Sequence, residues 1–113
     1  MELSAAQRER YERNLLVEGF TDRMQQALIA ARVAVVGAGG LGSAALNYLV
    51  AAGVGHLTLI ENDTVSLSNL QRQVLYTTAD MGRPKAEVAA MRLSRLNPGC
   101  DIRVVTDRLT AAN

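Results

Sequence analysis

The chain has 113 residues with a formal net charge of +1, and 49% of its residues are hydrophobic. This length favours one domain with a modest core, and the near-neutral charge gives no strong field for nucleic acid or an acidic membrane surface. The one cysteine, Cys100, excludes an intrachain disulfide and a cysteine-based metal cage.

The start of the chain predicts two polar helices. Ser4 followed three residues later by Gln7 is typical of a capping box, so we expect a helix from there to about Glu18, ended by Gly19. Asp22 is expected to cap a second, short helix. The N-terminus lacks the basic start and apolar stretch of a signal peptide, which fits a cytoplasmic protein.

The pattern then changes to strands that alternate with helices. A short apolar run with β-branched residues at 33–36 predicts a strand that is buried on both faces. Residues 56–60 predict a second buried strand, and residues 102–105 predict a third strand. We expect helices at 43–52 and from the Gly82-Arg83-Pro84 turn, because proline suits a first helical turn. Residues 62–80 are expected to be mostly loop.

Residues 33–60 carry no formal charge and are long enough to suggest a membrane span. Their glycines cluster at two places, around residues 37–42 and 53–55, as the glycines of turns do. We therefore read this stretch as strand, helix and strand, and expect no association with a membrane.

The predicted element order implies an α/β fold. Alternating strands and helices indicate a parallel sheet with right-handed crossovers and strand order 3-2-1, the N-terminal half of a Rossmann-like doubly wound sheet. We therefore divide the chain into a helical arm at 1–31 and a β-α-β-α-β half-fold at 32–113. The first strand is normally central in such folds, so we expect a fragment, or a chain that completes its sheet by association.

A glycine-rich loop follows the first predicted strand. Gly37-Ala38-Gly39-Gly40-Leu41-Gly42 matches G-x-G-x-x-G, in which glycines allow a tight turn and bring backbone N–H groups close to a phosphate. Glu61 ends the second strand, where a carboxylate can bind the hydroxyls of a ribose. The alternative is that these glycines only let a helix pack tightly on a strand.

The segment Ser68-Asn69-Leu70-Gln71-Arg72-Gln73 places amides and a fixed positive charge just beyond Glu61. The guanidinium of Arg72 offers a flat fork of donors, and the amides add neutral donors with definite directions. A nicotinamide enzyme has no particular need for such a cluster, whereas an enzyme that binds a triphosphate needs these donors and this charge.

Further stretches complete a set of motifs, namely Arg10-Tyr11-Glu12-Arg13-Asn14, Ala52-Gly53-Val54-Gly55 and Met81-Gly82-Arg83-Pro84-Lys85. With the glycine loop and N-L-Q-R-Q, the chain resembles the N-terminal part of the ubiquitin-activating superfamily, in particular the bacterial adenylyltransferases that activate sulfur carriers for molybdopterin or thiamine synthesis. The resemblance implies adenylation of the C-terminal glycine of a ubiquitin-like sulfur-carrier protein by ATP, with release of pyrophosphate.

The resemblance also implies roles for individual residues. The backbone of the glycine loop lies along the nucleotide, and Glu61 holds the ribose. The phosphates are contacted by Asn69, Arg72, Gln73 and Lys85, while Arg13 reaches into the ATP site of the neighbouring protomer of a homodimer. A magnesium ligand and a structural zinc site are implied only beyond residue 113, so we expect this chain alone to be inactive.

Several alternatives stay open on the sequence. Arg13 could form an exposed ion pair with Glu9, and Lys85 could be a plain surface lysine. Arg72 could pair with Asp63 or Asp80. Asp63 is a secondary candidate for the nucleotide site, where it could orient Arg72, or it could cap a turn. The family usually has Asp-x-Asp where this chain has Glu61-Asn62-Asp63. The chain could also be part of an NAD-binding oxidoreductase, or a non-catalytic association module.

Overall fold

A computed structural model describes residues 2–113. In this part of the chain, helices precede a three-stranded sheet whose strands alternate with two further helices. The elements are α1 (Ala5–Arg10), α2 (Glu12–Leu15), α3 (Asp22–Ala30), β1 (Arg32–Val36), α4 (Gly40–Ala52), β2 (His56–Ile60), α5 (Lys85–Leu96) and β3 (Asp101–Val105), with 3₁₀ turns at Leu67–Asn69 and Thr78–Asp80.

The sheet has the predicted topology. Its strands lie in the order β1-β2-β3, and both pairs are parallel, so β2 is central. Val33 lies opposite Leu57, and Leu57 lies opposite Ile102. Because the strands run in the same direction, the loops that leave their carboxyl ends meet at one edge of the sheet.

Helices α4 and α5 pack on one face of the sheet and form the core there. Leu46 and Val50 of α4 and Leu93 of α5 are fully buried beside Leu57 and Leu59 of β2. On this face the neighbouring strands add half-buried side chains: Val33, Val35, Ile102 and Val104.

The prediction that the first strand is buried on both faces is wrong. Along β1 the side chains alternate between half-buried and exposed, and Val36 is 58% exposed. The alternation arises because α4 and α5 cover only one face of the sheet. Four consecutive apolar residues at 33–36 hide this alternation in the sequence.

Several helix ends differ from the predictions, among them the start of α4, which lies three residues before the predicted start. The first predicted helix divides at Tyr11, whose φ of −103° and ψ of 15° leave the helical region. The N-cap of α3 is Thr21, which accepts a hydrogen bond from Met24 N–H, and Asp22 is the first helical residue. Pro84 is the N-cap of α5 and lies outside its first turn.

A buried polar network attaches the helical arm to the sheet domain. The Asn97 amide donates to the Tyr11 hydroxyl at 2.8 Å and to the Val50 carbonyl at 3.0 Å. Gln25, fully buried in α3, donates to the carbonyl of Ala52 at 2.9 Å. These bonds satisfy the Ala52 carbonyl and add a second donor to the Val50 carbonyl, which also accepts from Gly53 N–H at the end of α4.

A second buried cluster fixes the loop before α5. Asp80 is 2% exposed, and its Oδ2 accepts bonds from the N–H and hydroxyl of Thr77 and from Arg92 at 2.9 Å. Arg83 lies 3.5 Å from its other oxygen. Burial alone would raise the pKa of Asp80, but the bonds from Thr77 and Arg92 outweigh it and hold the pKa below its usual value.

Among residues 2–113, no helix is both long enough and apolar enough to cross a membrane. The uncharged stretch considered above is divided between β1, α4 and β2.

Replacing Asn97 with alanine should weaken the attachment of the arm, which Asn14 and Gln25 also hold. The change removes the donor to the Tyr11 hydroxyl and one of the two donors to the Val50 carbonyl, so we expect a loss of about 2 kcal/mol in the free energy of unfolding. Asn62→Ala is the matched control, because Asn62 is exposed and should change stability by less than about 0.5 kcal/mol. Urea unfolding curves measure both, and equal midpoints for the two variants would contradict the network's role.

Asp80 should make stability depend on pH at the acid end. Because the folded-state pKa lies below the unfolded value of about 3.9, its stabilisation is complete above that pH and is lost as pH falls through the lowered pKa. The difference in unfolding free energy between the wild type and Asp80→Asn should therefore shrink below about pH 4. Asn62→Ala, an exposed change that removes no titratable group, should give a difference that does not vary with pH. A constant difference for Asp80→Asn would refute this assignment.

Candidate functional site

The candidate site lies at the carboxyl ends of β1 and β2. The glycine loop leaves β1 there, and the segment from Glu61 to Tyr76 leaves the adjacent β2. Gly37 N–H donates to the Ile60 carbonyl at 2.8 Å, so the start of the loop is tied to the end of β2. Ligands of open α/β sheets bind in the crevice at this edge.

The glycines of the loop differ in what they do. Gly37 has a φ of +92°, a left-handed conformation that favours glycine. A Cβ on Gly42 would overlap the Gly37 carbonyl oxygen, so packing of α4 on β1 accounts for that glycine. At Gly39 the nearest atom to an added Cβ is Gln73 Nε2 at 3.5 Å, and at Gly40 it is Arg72 Cδ at 3.8 Å. The chain's own packing therefore does not require glycine at 39 or 40, and these two positions are open to a ligand.

Helix α4 begins inside this loop and has no side-chain cap. Gly39 is its N-cap, and no side chain accepts from the first turn. Within residues 2–113, the backbone N–H groups of Gly39, Gly40, Leu41 and Gly42 have no acceptor. Unpaired N–H groups and the positive end of the helix dipole together favour an anion at this position.

Glu61 joins the two strand ends. Its Oε1 accepts from Ala38 N–H at 2.9 Å, and its Oε2 accepts from Asn62 N–H at 2.9 Å and Asp63 N–H at 3.3 Å. A carboxylate offers about four lone-pair positions, so three donors leave one acceptor position for another hydroxyl. The extra methylene of glutamate lets one side chain reach both loops.

Arg72 lies against the open side of the glycine loop. Its aliphatic part is next to Gly40, and its Nη1 donates to the Ser68 carbonyl at 3.1 Å. Neither Asp63 nor Asp80 pairs with it, because Lys85 lies beside Asp63 while Arg83 and Arg92 lie beside Asp80. The alternative of a salt bridge at Arg72 is therefore wrong, and no carboxylate of the described chain neutralises its charge.

Lys85 is not a plain surface lysine. It is 4% exposed, and its Nζ lies 3.6 Å from Asp63 Oδ2. The chain forms an antiparallel bridge between Thr64 and Pro84, and Lys85 N–H donates to the Asp63 carbonyl at 2.9 Å. This short pairing brings the first residue of α5 back to the end of β2. Asp63 also accepts from the N–H of Thr64, the residue that follows it.

Two amides complete the wall beside the glycine loop. Asn69 accepts from the Ser66 hydroxyl at 2.8 Å through Oδ1, which leaves its NH₂ group as a donor. Gln73 is 4% exposed, and its Oε1 is buried without a hydrogen-bond partner in the described structure. This oxygen is an acceptor and suits a donor of a ligand, whereas the donors that a phosphate requires are those of Nε2, which lies beside Gly39.

Arg13 does not join these residues. Its neighbour Asn14 donates to the Ala52 carbonyl at 3.1 Å, at the C-terminal end of α4, whereas the glycine loop lies at the N-terminal end. Thirteen helical residues separate these ends by about 18 Å. Arg13 is exposed, and the proposed ion pair with Glu9 is not formed. Within its own chain, Arg13 therefore lies too far away to reach the glycine loop.

Sequence reasoning missed two parts of the site. The Tyr76 hydroxyl donates to the Ala38 carbonyl at 2.7 Å from a position 4% exposed. A groove of about 190 Å³ also opens beside Glu61, between the ends of β1 and β2 and the segment Asp107–Leu109 that follows β3. The strand order predicts that this segment lies at the same edge of the sheet, so the groove could have been predicted from the sequence.

The acidic residues of the site form no metal cluster. Within residues 2–113, no three His, Cys, Asp or Glu side chains are grouped so as to hold a metal ion. Cys100 is buried before β3, where burial and the adjacent Asp101 raise its pKa and so disfavour the reactive thiolate.

Known proteins are similar to this chain in sequence and in fold. The chain is 53% identical over 108 residues to a molybdopterin-synthase adenylyltransferase of Salmonella typhimurium, and 46% identical over 101 residues to a sulfur carrier protein ThiS adenylyltransferase of Escherichia coli. These matches cover 96% and 89% of this chain but only 43% and 40% of the relatives. The chain therefore spans less than half the length of these curated relatives.

A solved structure agrees with the sequence comparison. E. coli tRNA N6-threonylcarbamoyladenosine dehydratase, TcdA, in complex with ATP, superposes with a TM-score of 0.91 at 36% identity, over all of this chain and 46% of its own. The ThiF family model matches residues 11–113, which is most of the chain. The chain belongs to the ThiF family.

Proposed function

We propose that this chain is the ATP-binding part of an adenylyltransferase that activates the C-terminal glycine carboxylate of a ubiquitin-like sulfur-carrier protein. The observation that carries the proposal is the position of Arg72, without a carboxylate partner, against a glycine loop whose N–H groups are unpaired. A positively charged guanidinium group and several backbone N–H donors that face the same open space suit a polyphosphate.

The reaction follows from the substrates. A carboxylate oxygen of the carrier's terminal glycine attacks the α-phosphorus of ATP and forms a mixed anhydride, the acyl-adenylate. The bond between the α-phosphorus and the bridging oxygen breaks, and pyrophosphate leaves with its electron pair. No proton is transferred, so the protein contributes mainly positioning and neutralisation of charge.

The phosphate-binding roles fall to the residues that line the open side of the loop. Arg72 supplies a fixed positive charge, and the Asn69 NH₂ group supplies a neutral donor. Gln73 adds a buried amide next to Gly39. Lys85 supplies a second cation, which Asp63 holds in place at the end of β2.

The nucleoside end of ATP is assigned to the groove beside Glu61. The acceptor position that Glu61 keeps is suited to a ribose hydroxyl. Val36, Ile60 and Leu109 give the groove an apolar lining that suits a base. ATP binds as its magnesium complex, which lowers the charge that the protein must neutralise, and none of the carboxylates described above is assigned to the metal.

The carrier protein is assigned only as a class. Relatives bear names from both molybdopterin and ThiS activation, and the match to the first is 53% against 46% for the second. We also propose a homodimer in which Arg13 serves the partner's ATP site. The position of Arg13 at the far end of α4 supports a role outside its own site.

Titration calorimetry with magnesium-ATP tests this proposal, with NAD as the competing ligand. We expect ATP to bind and NAD not to bind. Arg72→Ala should weaken ATP binding by about 10- to 100-fold, because it removes charge-assisted hydrogen bonds to phosphate. Arg95→Ala is the matched control, since Arg95 is exposed in the last turn of α5, away from the site, and should leave ATP affinity unchanged. Preferential binding of NAD would replace this proposal with an oxidoreductase assignment.

A further inference from the structure

Ala38 is held from two sides within the glycine loop. Its N–H donates to Glu61 Oε1 at 2.9 Å, and its carbonyl accepts from the Tyr76 hydroxyl at 2.7 Å. Ala38 is fully buried, so no solvent can replace either bond. Two side chains from the segment after β2 therefore fix both peptide groups that flank this one residue.

The bond from Tyr76 determines where the next N–H group points. The carbonyl of Ala38 and the N–H of Gly39 belong to one planar trans peptide, in which the two groups point in opposite directions. With the carbonyl turned towards the buried Tyr76, the Gly39 N–H must point away from it. That N–H has no acceptor in the described structure, so it is directed into the space assigned above to phosphate.

We propose that Tyr76 is a positioning residue, which orients the Ala38–Gly39 peptide so that the Gly39 N–H donates to a phosphate of the bound nucleotide. This inference rests on the proposed function, because it requires a phosphate at the glycine loop. Tyr76 itself lies behind the loop and touches no ligand.

The chemistry of the phenol suits this task. Burial and then the nearby Glu61 carboxylate raise the pKa of Tyr76 well above its usual value, so its hydroxyl stays a donor at neutral pH. Phenylalanine at this position would keep the packing but leave the Ala38 carbonyl without a donor. Since Gly37 and Gly39 flank Ala38, the peptide could then rotate to find another partner, and the free N–H would no longer be preorganised.

Tyr76→Phe tests the inference, with Tyr11→Phe as its matched control. Tyr11 is also buried, at 5% exposure, and its hydroxyl also makes one hydrogen bond, with Asn97, at the opposite end of α4. Both variants should lower the melting temperature slightly, because each loses one buried bond. Only Tyr76→Phe should weaken magnesium-ATP binding, by about 3- to 10-fold. Adenosine, which lacks phosphates, should bind Tyr76→Phe and wild type equally.

The outcomes separate this inference from the proposed function. If wild type does not bind ATP, the proposed function fails and the inference fails with it. If wild type binds ATP and Tyr76→Phe binds it equally well, the inference alone is overturned. Equal weakening of ATP binding in both variants, or equal weakening for ATP and adenosine, would show that Tyr76 is merely structural.

A measurement on the wild-type chain covers the case in which Tyr76→Phe does not fold. Amide hydrogen exchange at Gly39 should be slowed by magnesium-ATP but not by adenosine, because only ATP brings an acceptor to that N–H. Exchange at Gly39 that is unchanged by ATP, under conditions in which ATP binds, would overturn the inference.

Discussion

The site depends on the carboxylate of Glu61, which bonds the glycine loop to the end of β2. Its two oxygens accept three backbone N–H groups, from Ala38, Asn62 and Asp63. Parallel pairing places β1 and β2 side by side, but it does not determine how the loops beyond them are arranged. Glu61 provides that arrangement, because its position relative to β2 is fixed by the sheet. The contact of Tyr76 with Ala38 relies on the same loop, which this carboxylate and the bond from Gly37 N–H to the Ile60 carbonyl hold at the end of β2.

The acidic residues at this edge of the sheet pair with some of its basic residues and not with others. Asp80 lies beside Arg83 and Arg92, and Asp63 lies beside Lys85. The buried carboxylate of Asp80 thus pairs with the two arginines that stabilise the loop. Arg72 is exposed and donates to the Ser68 carbonyl, and its charge has no carboxylate partner in the described chain, so the guanidinium stays available to an anion.

Local patterns in the sequence account for most of the fold and part of the site. The strands at 33–36, 56–60 and 102–105 were predicted to within one residue at each end, since short apolar runs between turns are strong signals. The exposure of one face of β1 was not predicted, because the sequence has no polar residue at the exposed positions 34 and 36. The burial of Lys85 and the bond from Tyr76 to Ala38 could not be predicted either. The contact of Lys85 with Asp63 and that of Tyr76 with Ala38 each join residues more than 20 positions apart in the sequence, and no spacing rule relates such residues.

The placement of the aromatic residues gives the molecule a built-in optical probe. The chain has no tryptophan and three tyrosines, so its near-ultraviolet spectrum comes mainly from Tyr11, Tyr48 and Tyr76. Tyr48 is 77% exposed, and a ring free to rotate in solvent contributes little circular dichroism there. The remaining signal comes from two buried rings, one where the arm joins the body and one behind the glycine loop. The rigidity of these two regions can therefore be followed separately, without a label, by subtracting the spectra of the single phenylalanine variants.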